Sequence, residues 1–493
     1  MLQQLETAET MRRTVAPRIA QKHKAEFGQF LTPSSVARFM ASLFPTSSLR
    51  VCRLLDAGAG IGALSCAFLD RWVAGDLGFD AVEATAYEID DNLRGHLAQH
   101  LARYQGVTPR IIAGDYIELA TAGGLFTAKQ PAGYTHAILN PPYKKINSNS
   151  AHRLALRRVG IETVNLYSAF VALALAQAAP GGQIVAIIPR SFCNGPYYRP
   201  FRDFILKRAA VRHMHLFESR SKAFKDDEVL QENIIIRLER DGQQGPVTVS
   251  TSTDDSFADL VTHEYPFDRI VFPDDLEQFI HVPTSPEKNA IELSPAICCT
   301  LAGLGIKVST GPVVDFRLRA HLRDMPREGA VPLLYPSHFS KAGTTWPIEG
   351  MKKPNAIERN ADTEKWLYPS GFYCVVRRFS SKEEKRRIMA SVVEPSAFGD
   401  VPALGFENHL NLFHENKRGL PEALARGLAV FLNTTAVDEN FRRFNGHTQV
   451  NATDLKLMKY PSRETLIELG EWAMQQGRLT QDQIDAKLGT LAE

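Results

Sequence analysis

The run Asn140-Pro141-Pro142-Tyr143 carries the most specific chemical signal in the sequence. Proline has no amide hydrogen and a fixed φ, so carbonyl oxygens and the Asn140 side chain project from a stiff backbone. Such acceptors can bind both hydrogens of a planar amino group and favour the pyramidal geometry in which its nitrogen attacks a methyl group. The Tyr143 ring could stack on an extruded base, worth about 1–3 kcal/mol. The structural alternative is a proline turn that leaves a strand.

A glycine-rich turn could bind a cofactor. Asp56 precedes Gly58, Gly60 and Gly62, and glycines at a strand-to-helix turn let the backbone pass close to a ligand. The GxGxG spacing differs from the GxGxxG of dinucleotide sites and favours a methionine-adenosyl ligand over a pyrophosphate. An NAD site, or a glycine turn without a ligand, remains the alternative.

Two acidic residues could complete a nucleoside pocket. Glu88 could accept hydrogen bonds from both ribose hydroxyls, and Asp115 could accept one from the exocyclic amine of adenine. Taken singly, each acid is more often a helix cap or a solvated loop residue. Together they follow successive predicted strands, which favours a shared crevice.

The elements that must position these residues alternate between strands and helices. We predict strands at 51–55, 84–89, 110–113, 135–139, 183–188 and 234–238, and helices at 61–72, 91–104 and 166–179. This alternation predicts an α/β fold with a doubly wound, mostly parallel sheet. Ligands of such sheets bind beyond the carboxyl ends of the strands, where all the candidate residues fall.

The character of the chain changes after residue 240. We predict a turn-rich or edge-strand segment at 241–254, an irregular α+β region at 294–461 and a helical tail at 463–493. The predicted domains are therefore 1–245 and 294–493, joined by a connecting segment at 246–293.

Composition excludes several classes of protein. The net charge of +2 over 493 residues, with 44% hydrophobic and 23% charged residues, is that of an ordinary globular protein and not of a disordered or highly basic one. Six cysteines without a CxxC spacing predict neither a disulfide framework nor a metal site. The polar N-terminus and the shortness of the longest apolar stretch, 168–179, predict a cytoplasmic protein without a membrane partner.

With these motifs in this order, the chain resembles the N6-adenine DNA methyltransferases of type II restriction–modification systems. The resemblance includes the segment GQFLTP at 28–33 and runs from Phe27 to about Pro461, although Ala57 stands where the family has phenylalanine or leucine. The second half is similar to the subgroup typified by the BsuBI and PstI enzymes, in the stretches 308–314, 331–335, 375–379 and 444–455.

The resemblance implies a class I S-adenosyl-L-methionine-dependent methyltransferase fold for 1–245 and a target recognition domain for 294–493. The cofactor-binding residues it implies are Thr32, Pro33, Asp56, Gly58, Gly60, Gly62, Glu88 and Asp115. The catalytic residues it implies are Asn140, Pro141, Pro142, Tyr143 and Phe224. Phe224 would stack on the flipped adenine opposite Tyr143; the alternative is that Phe224 or Phe217 is a core residue.

Double-stranded DNA is the partner that the resemblance implies. A basic cluster within 377–387 suits phosphate contacts, and a solvated helix face is the alternative for 382–387. Alternating polar residues at 445–451 could read base edges. The predicted DNA-binding residues are Arg377, Arg378, Arg442, Arg443, Asn445, His447, Gln449 and Asn451.

The predicted reaction is methyl transfer to N6 of a flipped adenine within a short site such as CTGCAG, protecting it from a cognate restriction endonuclease encoded nearby. One alternative is methylation of a protein glutamine or of ribosomal RNA, although such enzymes usually lack a long C-terminal half. A second is an enzyme with its own nuclease, but Pro273-Asp274 is not followed by ExK. A third is a non-catalytic DNA-binding protein, which the intact Asp56, Glu88, Asp115 and Asn140 oppose.

Overall fold

The structure is a computed structural model that describes residues 3–15, 31–122, 133–218, 232–288, 290–340, 343–381, 383–446 and 448–492. The chain forms two compact units, Met1–Pro286 and Glu287–Glu493. None of the helices in the described ranges combines the length and apolar character that crossing a bilayer requires.

The first unit is built on one large sheet. Its strands are β1 Val51–Ala57, β2 Ala81–Glu88, β3 Val107–Ala113, β4 Tyr134–Leu139, β5 Ala178–Pro189, β6 Ala209–Phe217, β7 Asn233–Arg240, β8 Val247–Ser252 and β9 Val261–Tyr265. They pair in the order β3-β2-β1-β4-β5-β7-β6-β8-β9, and only β7 and β9 run opposite to the rest of the described strands. The predicted mostly parallel sheet is confirmed.

Helices cover both faces of this sheet. They are α1 Gln3–Val15, α2 Ser34–Ser42, α3 Ala63–Val73, α4 Asp91–Leu101, α5 Tyr116–Ala122, α6 Ala151–Arg158, α7 Leu166–Gln177 and α8 Arg199–Arg208, with 3-10 turns at Arg190–Cys193, Pro196–Tyr198 and Phe267–Arg269. Neighbouring residues of one strand enter different cores: Leu54 packs with α2, α3 and α4, whereas Leu55 packs with α5, α7 and α8. A strand buried on both faces has no polar side, which explains why these strands read as continuous apolar runs.

The strand order reverses between β1 and β4. The connections through α3 and α4 lead from β1 outward to β3, and the chain then returns past β1 to form β4. At such a switch point the two connections leave toward opposite faces and open a crevice beyond the strand ends. The predicted site residues therefore meet at one place.

Two features differ from the sequence-based expectation. The segment 246–293, predicted to be a connection, contributes β8 and β9 to the sheet, so the first unit extends to Pro286 and not to 245. The sequence analysis also does not anticipate β6, because His213 and His215 interrupt its apolar run. Both imidazoles are accommodated because each makes a hydrogen bond with the Ser250 hydroxyl, at 2.7 and 2.9 Å.

The second unit has the predicted α+β character. Its strands are β10 Lys307–Thr310, β11 Leu322–Arg323, β12 Ala330–Leu334, β13 Phe339–Ser340, β14 Gly343–Thr344, β15 Ala356–Glu358, β16 Leu367–Pro369, β17 Tyr373–Arg377, β18 Ala390–Val393, β19 Ala403–Phe406 and β20 Leu410–His414. They form sheets in the orders β10-β20-β17-β18, β11-β15-β12-β19-β16 and β13-β14.

Helices of the second unit lie mainly in its last third. They are α9 Ala290–Leu293, α10 Glu422–Leu432, α11 Thr435–Phe444, α12 Ala452–Leu457, α13 Arg463–Gln475 and α14 Gln481–Ala492, and 3-10 turns occur at Asp315–Arg317, Arg319–His321, Pro336–His338, Glu364–Trp366 and Pro395–Phe398. The helices α10 and α13 cross with their backbones in contact. A Cβ on Gly427 would overlap the Leu466 carbonyl, and one on Gly470 would overlap the Ala423 carbonyl, so neither position has room for a side chain.

This close crossing yields a stability prediction. We expect Gly427→Ala to destabilise the second unit by about 1–3 kcal/mol, because overpacking forces rigid neighbours apart. The matched control is Gly489→Ala in α14, where an added Cβ meets open space. Urea unfolding should show a lower midpoint for Gly427→Ala only, and equal midpoints for the two variants would contradict this packing.

Candidate functional site

A cavity of about 460 Å³ lies beyond the carboxyl ends of β1 to β4. This volume is within the range of small-molecule and cofactor sites. The residues lining it are Leu31, Gly58, Gly60, Tyr87, Glu88, Ile89, Leu93, Gly114, Asp115, Tyr116, Asn140, Pro142, Lys144, Lys145, Ile146, Asn147, Ser150, His152, Leu166 and Phe170. Both predicted acids, two of the three loop glycines and the predicted catalytic asparagine are thus brought together.

The glycine loop supplies one wall of the cavity. Gly58 and Gly60 have φ values of +77° and +56°, a region that side chains disfavour. A Cβ on Gly60 would lie 3.1 Å from Leu31 Cδ2, which is tighter than ordinary contact, so Leu31 also disfavours a side chain at this position. Gly62 does not line the cavity; with φ +89° it begins α3.

Asp56 lies behind this loop and does not line the cavity. The side chain is buried, with the residue 1% exposed, and its Oδ2 accepts a hydrogen bond from the Ser65 hydroxyl at 2.6 Å. Burial raises the pKa of Asp56 to about 7. The structure therefore places Asp56 as a support of the loop through α3, whereas the sequence predicted direct cofactor contact.

Glu88 ends β2 and faces the cavity while it holds the glycine loop. One carboxylate oxygen, Oε2, accepts the Gly60 amide at 2.7 Å, and the other, Oε1, accepts the Asp90 amide at 2.8 Å. Burial raises the pKa of this carboxyl, although the backbone hydrogen bonds oppose the shift. Glu88 therefore couples the loop to β2 at the position where a ribose would bind.

Asp115 is both a helix cap and a cavity residue. Its Oδ1 accepts the Glu118 amide at 3.0 Å in the first turn of α5, and its Oδ2 lies 3.2 Å from His152 Nε2. Burial opposes ionisation, but these contacts outweigh it and lower the pKa of Asp115. The hydrogen bond that His152 donates to Asp115 raises the pKa of His152 in turn.

The Asn140 carboxamide is held at the tip of β4 from two sides. Its Nδ2 donates to Thr32 Oγ1 at 2.9 Å, and its Oδ1 accepts from the Tyr143 hydroxyl at 3.2 Å. Tyr143 is half-buried, and its ring meets the Tyr167 ring edge to face at 6.3 Å. The predicted stacking face of Tyr143 does not line this cavity.

The remaining predicted residues of the first unit lie around this tip. Pro142 lines the cavity, whereas Pro141 is buried and does not. Thr32 acts on Asn140 and does not line the cavity, and Pro33 precedes the first turn of α2, where its carbonyl accepts the Ala37 amide at 2.9 Å. Phe224 lies outside the described residues.

The cavity also contains residues that the sequence analysis did not select. Lys144 and Lys145 follow the NPPY run directly and bring positive charge to the cavity, and their adjacency to that run was the available signal. His152 and Phe170 lie on the helices α6 and α7, and no local motif distinguishes them. They reach the site because α6 packs against α5 and α7 packs beside β4.

The predicted DNA-binding residues of the second unit are mostly engaged within that unit. Asn445 is 1% exposed, accepts from Arg387 Nη2 at 2.7 Å and donates to Asp454 Oδ2 at 3.1 Å. Asn451 caps α12 through the same Asp454. These two asparagines satisfy buried charged groups. Asn445 is too buried in this structure to meet a base, and base reading by Asn451 stays a prediction.

The predicted arginines and glutamine divide into two groups. Arg377 pairs with Glu384, Arg443 with Glu292, and Arg442 with Asp438 at 2.7 Å. Arg378 instead donates to Gln449 Oε1 at 3.2 Å, and both are half-buried.

The segment 383–387 is not helical, and Arg387 is 2% exposed, so a solvated helix face is excluded there. His447 and Lys382 lie outside the described residues.

The two-sided role of Glu88 yields a binding prediction. Glutamine has one acceptor oxygen, so Glu88→Gln would direct amide hydrogens at a backbone N–H, leaving a buried donor unsatisfied at a cost of about 1–3 kcal/mol. We expect the affinity for S-adenosyl-L-methionine to fall about tenfold or more, as measured by calorimetry. Glu83→Gln, on the exposed side of β2, is the control. Unchanged affinity in Glu88→Gln would exclude this role.

The raised pKa of Asp56 yields a stability prediction. Between its ordinary pKa of 3.8 and its folded value of about 7, the folded chain keeps a proton that the unfolded chain has released. Stability should therefore fall as pH rises through this window, by up to about 4 kcal/mol. Asp56→Asn should remove that slope from thermal unfolding curves recorded between pH 5 and 8. The exposed Asp80→Asn should retain it, and a wild-type slope in Asp56→Asn would contradict the assignment.

Comparisons with known proteins agree with this geometry. The family model described as Eco57I restriction-modification methylase matches residues 107–224, which include the NPPY run. The chain is 53% identical to the type II methyltransferase M.BsuBI of Bacillus subtilis, covering 100% of this chain and 98% of the relative. It is 42% identical to M.PstI of Providencia stuartii, covering 94% and 92%.

Solved structures support the fold alone. A chain of the cryo-EM structure of the DrdV–DNA complex is similar with a TM-score of 0.50 and 14% identity, over 94% of this chain and 58% of that chain. The sheet order and the full-length relatives confirm the class I methyltransferase fold and the resemblance that the motifs indicated. The chain belongs to the type II methyltransferases of restriction–modification systems, in the subgroup of M.BsuBI and M.PstI.

Proposed function

We propose that this methyltransferase transfers the methyl group of S-adenosyl-L-methionine to N6 of an adenine that has been turned out of duplex DNA. The observation that carries the proposal is the position of Asn140: its carboxamide is held by Thr32 and Tyr143 and faces the cavity that Glu88 and Asp115 also line. An amino-group acceptor and a nucleoside pocket therefore share one cavity.

The residues present fit S-adenosyl-L-methionine. Gly58 and Gly60 leave room for a ligand against the backbone, Glu88 would accept the ribose hydroxyls, and Asp115 would accept the adenine amine. Phe170 offers an apolar surface to the purine. The cofactor supplies an electrophilic methyl group on a sulfonium.

Asn140 acts on the amine that receives the methyl group. An adenine amino nitrogen is a poor nucleophile because its lone pair is delocalised into the ring. Acceptance of its two hydrogens by Asn140 Oδ1 and the adjacent Pro141 carbonyl favours the pyramidal form and aims the lone pair at the methyl group. The contribution is one of orientation, for which a misplacement of 1 Å can cost about a hundredfold in rate.

The adenine must leave the helix because its amino group cannot reach the site inside a stacked duplex, and this costs a few kcal/mol. Stacking on Tyr143 and Phe224 would offset part of that cost, and the role of both rings stays a prediction. Lys144 and Lys145 follow the NPPY run and line the cavity, and their positive charge suits the phosphates that flank the extruded nucleotide.

The second unit is proposed to select the DNA site, because the type II relatives are similar over both units. A cognate restriction endonuclease encoded nearby and a cytoplasmic location remain predictions. Methylation of a protein glutamine or of ribosomal RNA is not favoured, since M.BsuBI and M.PstI, which match nearly the whole chain, are type II methyltransferases.

The role of Asn140 can be tested directly. We expect Asn140→Ala to lower the rate of methyl transfer to DNA about a hundredfold or more, while the dissociation constant for S-adenosyl-L-methionine changes less than threefold. Radiolabelled cofactor would be incubated with plasmid DNA, total RNA and a protein extract. Asn92→Ala, an exposed asparagine of α4, is the control. Full activity in Asn140→Ala, or label in RNA or protein but not in DNA, would refute the proposal.

A further inference from the structure

Three segments of the second unit meet at a partly exposed surface, which we call the His409 surface and define by Arg378, Phe379, Glu407, His409 and Gln449. The Arg378 amide donates to the His409 carbonyl at 2.8 Å, and the Val450 amide donates to the Arg378 carbonyl at 2.7 Å. Phe379 and Gln449 form an isolated β-bridge. Backbone hydrogen bonds therefore hold the three segments in register.

A buried acid sets the orientation of the histidine. The Glu407 side chain has 0% exposure, whereas the His409 side chain is 44% exposed. The Glu407 carboxylate accepts from the His409 amide at 2.9 Å and contacts His409 Nδ1 at 2.6 Å. Because a carboxylate only accepts, Nδ1 carries the proton. The opposite nitrogen, Nε2, is then an acceptor in the neutral ring and a donor in the charged one.

An arginine sets the orientation of the glutamine in the same way. Arg378 donates from Nη2 to Gln449 Oε1 and from Nη1 to the Asn408 carbonyl, both at 3.2 Å. A guanidinium only donates, so the carbonyl end of the Gln449 amide must face it. The two Nε2 hydrogens of Gln449 are thus directed away from Arg378. The Gln449 amide thus has a defined donor and acceptor pattern before any ligand binds, and the His409 ring has a defined tautomer.

A partly exposed aromatic ring lies beside the histidine. The Phe379 ring, 39% exposed, lies 4.9 Å from the His409 ring. The segment that contains Val313 is hydrogen-bonded to the residues on either side of Glu407. The Val313 amide donates to the Phe406 carbonyl at 3.1 Å, and the Asn408 amide donates to the Val313 carbonyl at 3.0 Å. That segment leads into a turn with Phe316, 61% exposed, and the exposed cation Arg317. The positive charge of Arg317 and Arg378 suits a polyanion.

We propose that the His409 surface reads base edges of the target duplex, with His409 and Gln449 as specificity-determining residues. The inference rests on the proposed function of the chain. His409 Nε2 can accept from the exocyclic amine of cytosine or adenine, or donate to guanine when charged, and Gln449 Nε2 can donate to guanine O6 or N7 or to thymine O4. Glu407 and Arg378 are positioning residues, because they act through the other two.

The experiment begins with the wild-type chain. Sequencing that detects modified adenine in plasmid DNA from expressing cells identifies the methylated site. The full-length His409→Ala and Gln449→Ala variants are then assayed on duplexes that carry this site and on duplexes with each single-base change. We expect the ratio of kcat/KM between the correct site and at least one changed site to fall about tenfold or more in each variant. The affinity for S-adenosyl-L-methionine should stay unchanged.

Three further variants separate base reading from a structural role. His263→Ala in β9 and Gln476→Ala after α13 are matched controls outside the His409 surface and should keep the wild-type ratio. Glu407→Gln can donate to Nδ1, which would place the proton on Nε2 and change the base preferred at the affected position. Thermal unfolding would establish that each variant is folded.

The outcomes are distinguishable. Wild-type ratios at every position in both His409→Ala and Gln449→Ala, with or without a lower kcat, would overturn the inference. A loss that is equal on all duplexes would also overturn it, because it would indicate phosphate contact or a protein-binding surface. Absence of any methylation by the wild-type chain would overturn the proposed function and this inference with it.

Discussion

The site depends on one constraint: parallel strands must end at the same edge of the sheet, so residues distant in sequence converge there. The cavity exists because the strand order reverses between β1 and β4, and Asn140 stands at that reversal. Its carboxamide is useful only while its orientation is fixed. The Thr32 hydroxyl accepts from the nitrogen of this carboxamide, and the Tyr143 hydroxyl donates to its oxygen. These two hydrogen bonds connect the segment before α2 to the end of β4.

The acids of the first unit show how one side chain can have two roles. Glu88 faces the cavity, yet its oxygens also hold the amides of Gly60 and Asp90. Asp115 lines the cavity and caps α5. A carboxylate has about four acceptor positions, so structural hydrogen bonds do not exhaust it. Helix capping and ligand binding were the alternative interpretations of these acids. The two roles are compatible because they use different lone pairs.

In the second unit, polar side chains serve as hydrogen-bond partners of buried charged groups. Arg387, Asp438 and Asp454 are buried and need partners, and Asn445 and Asn451 provide several of them. Residue type alone could not separate these asparagines from base-reading ones, since both uses employ the same donors and acceptors. Exposure separates them, because the partly exposed side chains of His409 and Gln449 can meet a ligand and the buried side chain of Asn445 cannot.

Much of the first unit was determined by the sequence itself. The apolar runs indicated β1, β4 and β5 because much of each strand is buried on both faces. The order of GxGxG, acids and NPPY indicated the family because each motif has a local backbone requirement. Only the tertiary structure decided that Asp56 supports the loop without lining the cavity, that 247–265 adds two strands, and that His152 reaches Asp115. Those facts depend on which helix packs beside which strand, and long-range packing leaves no local pattern in the chain.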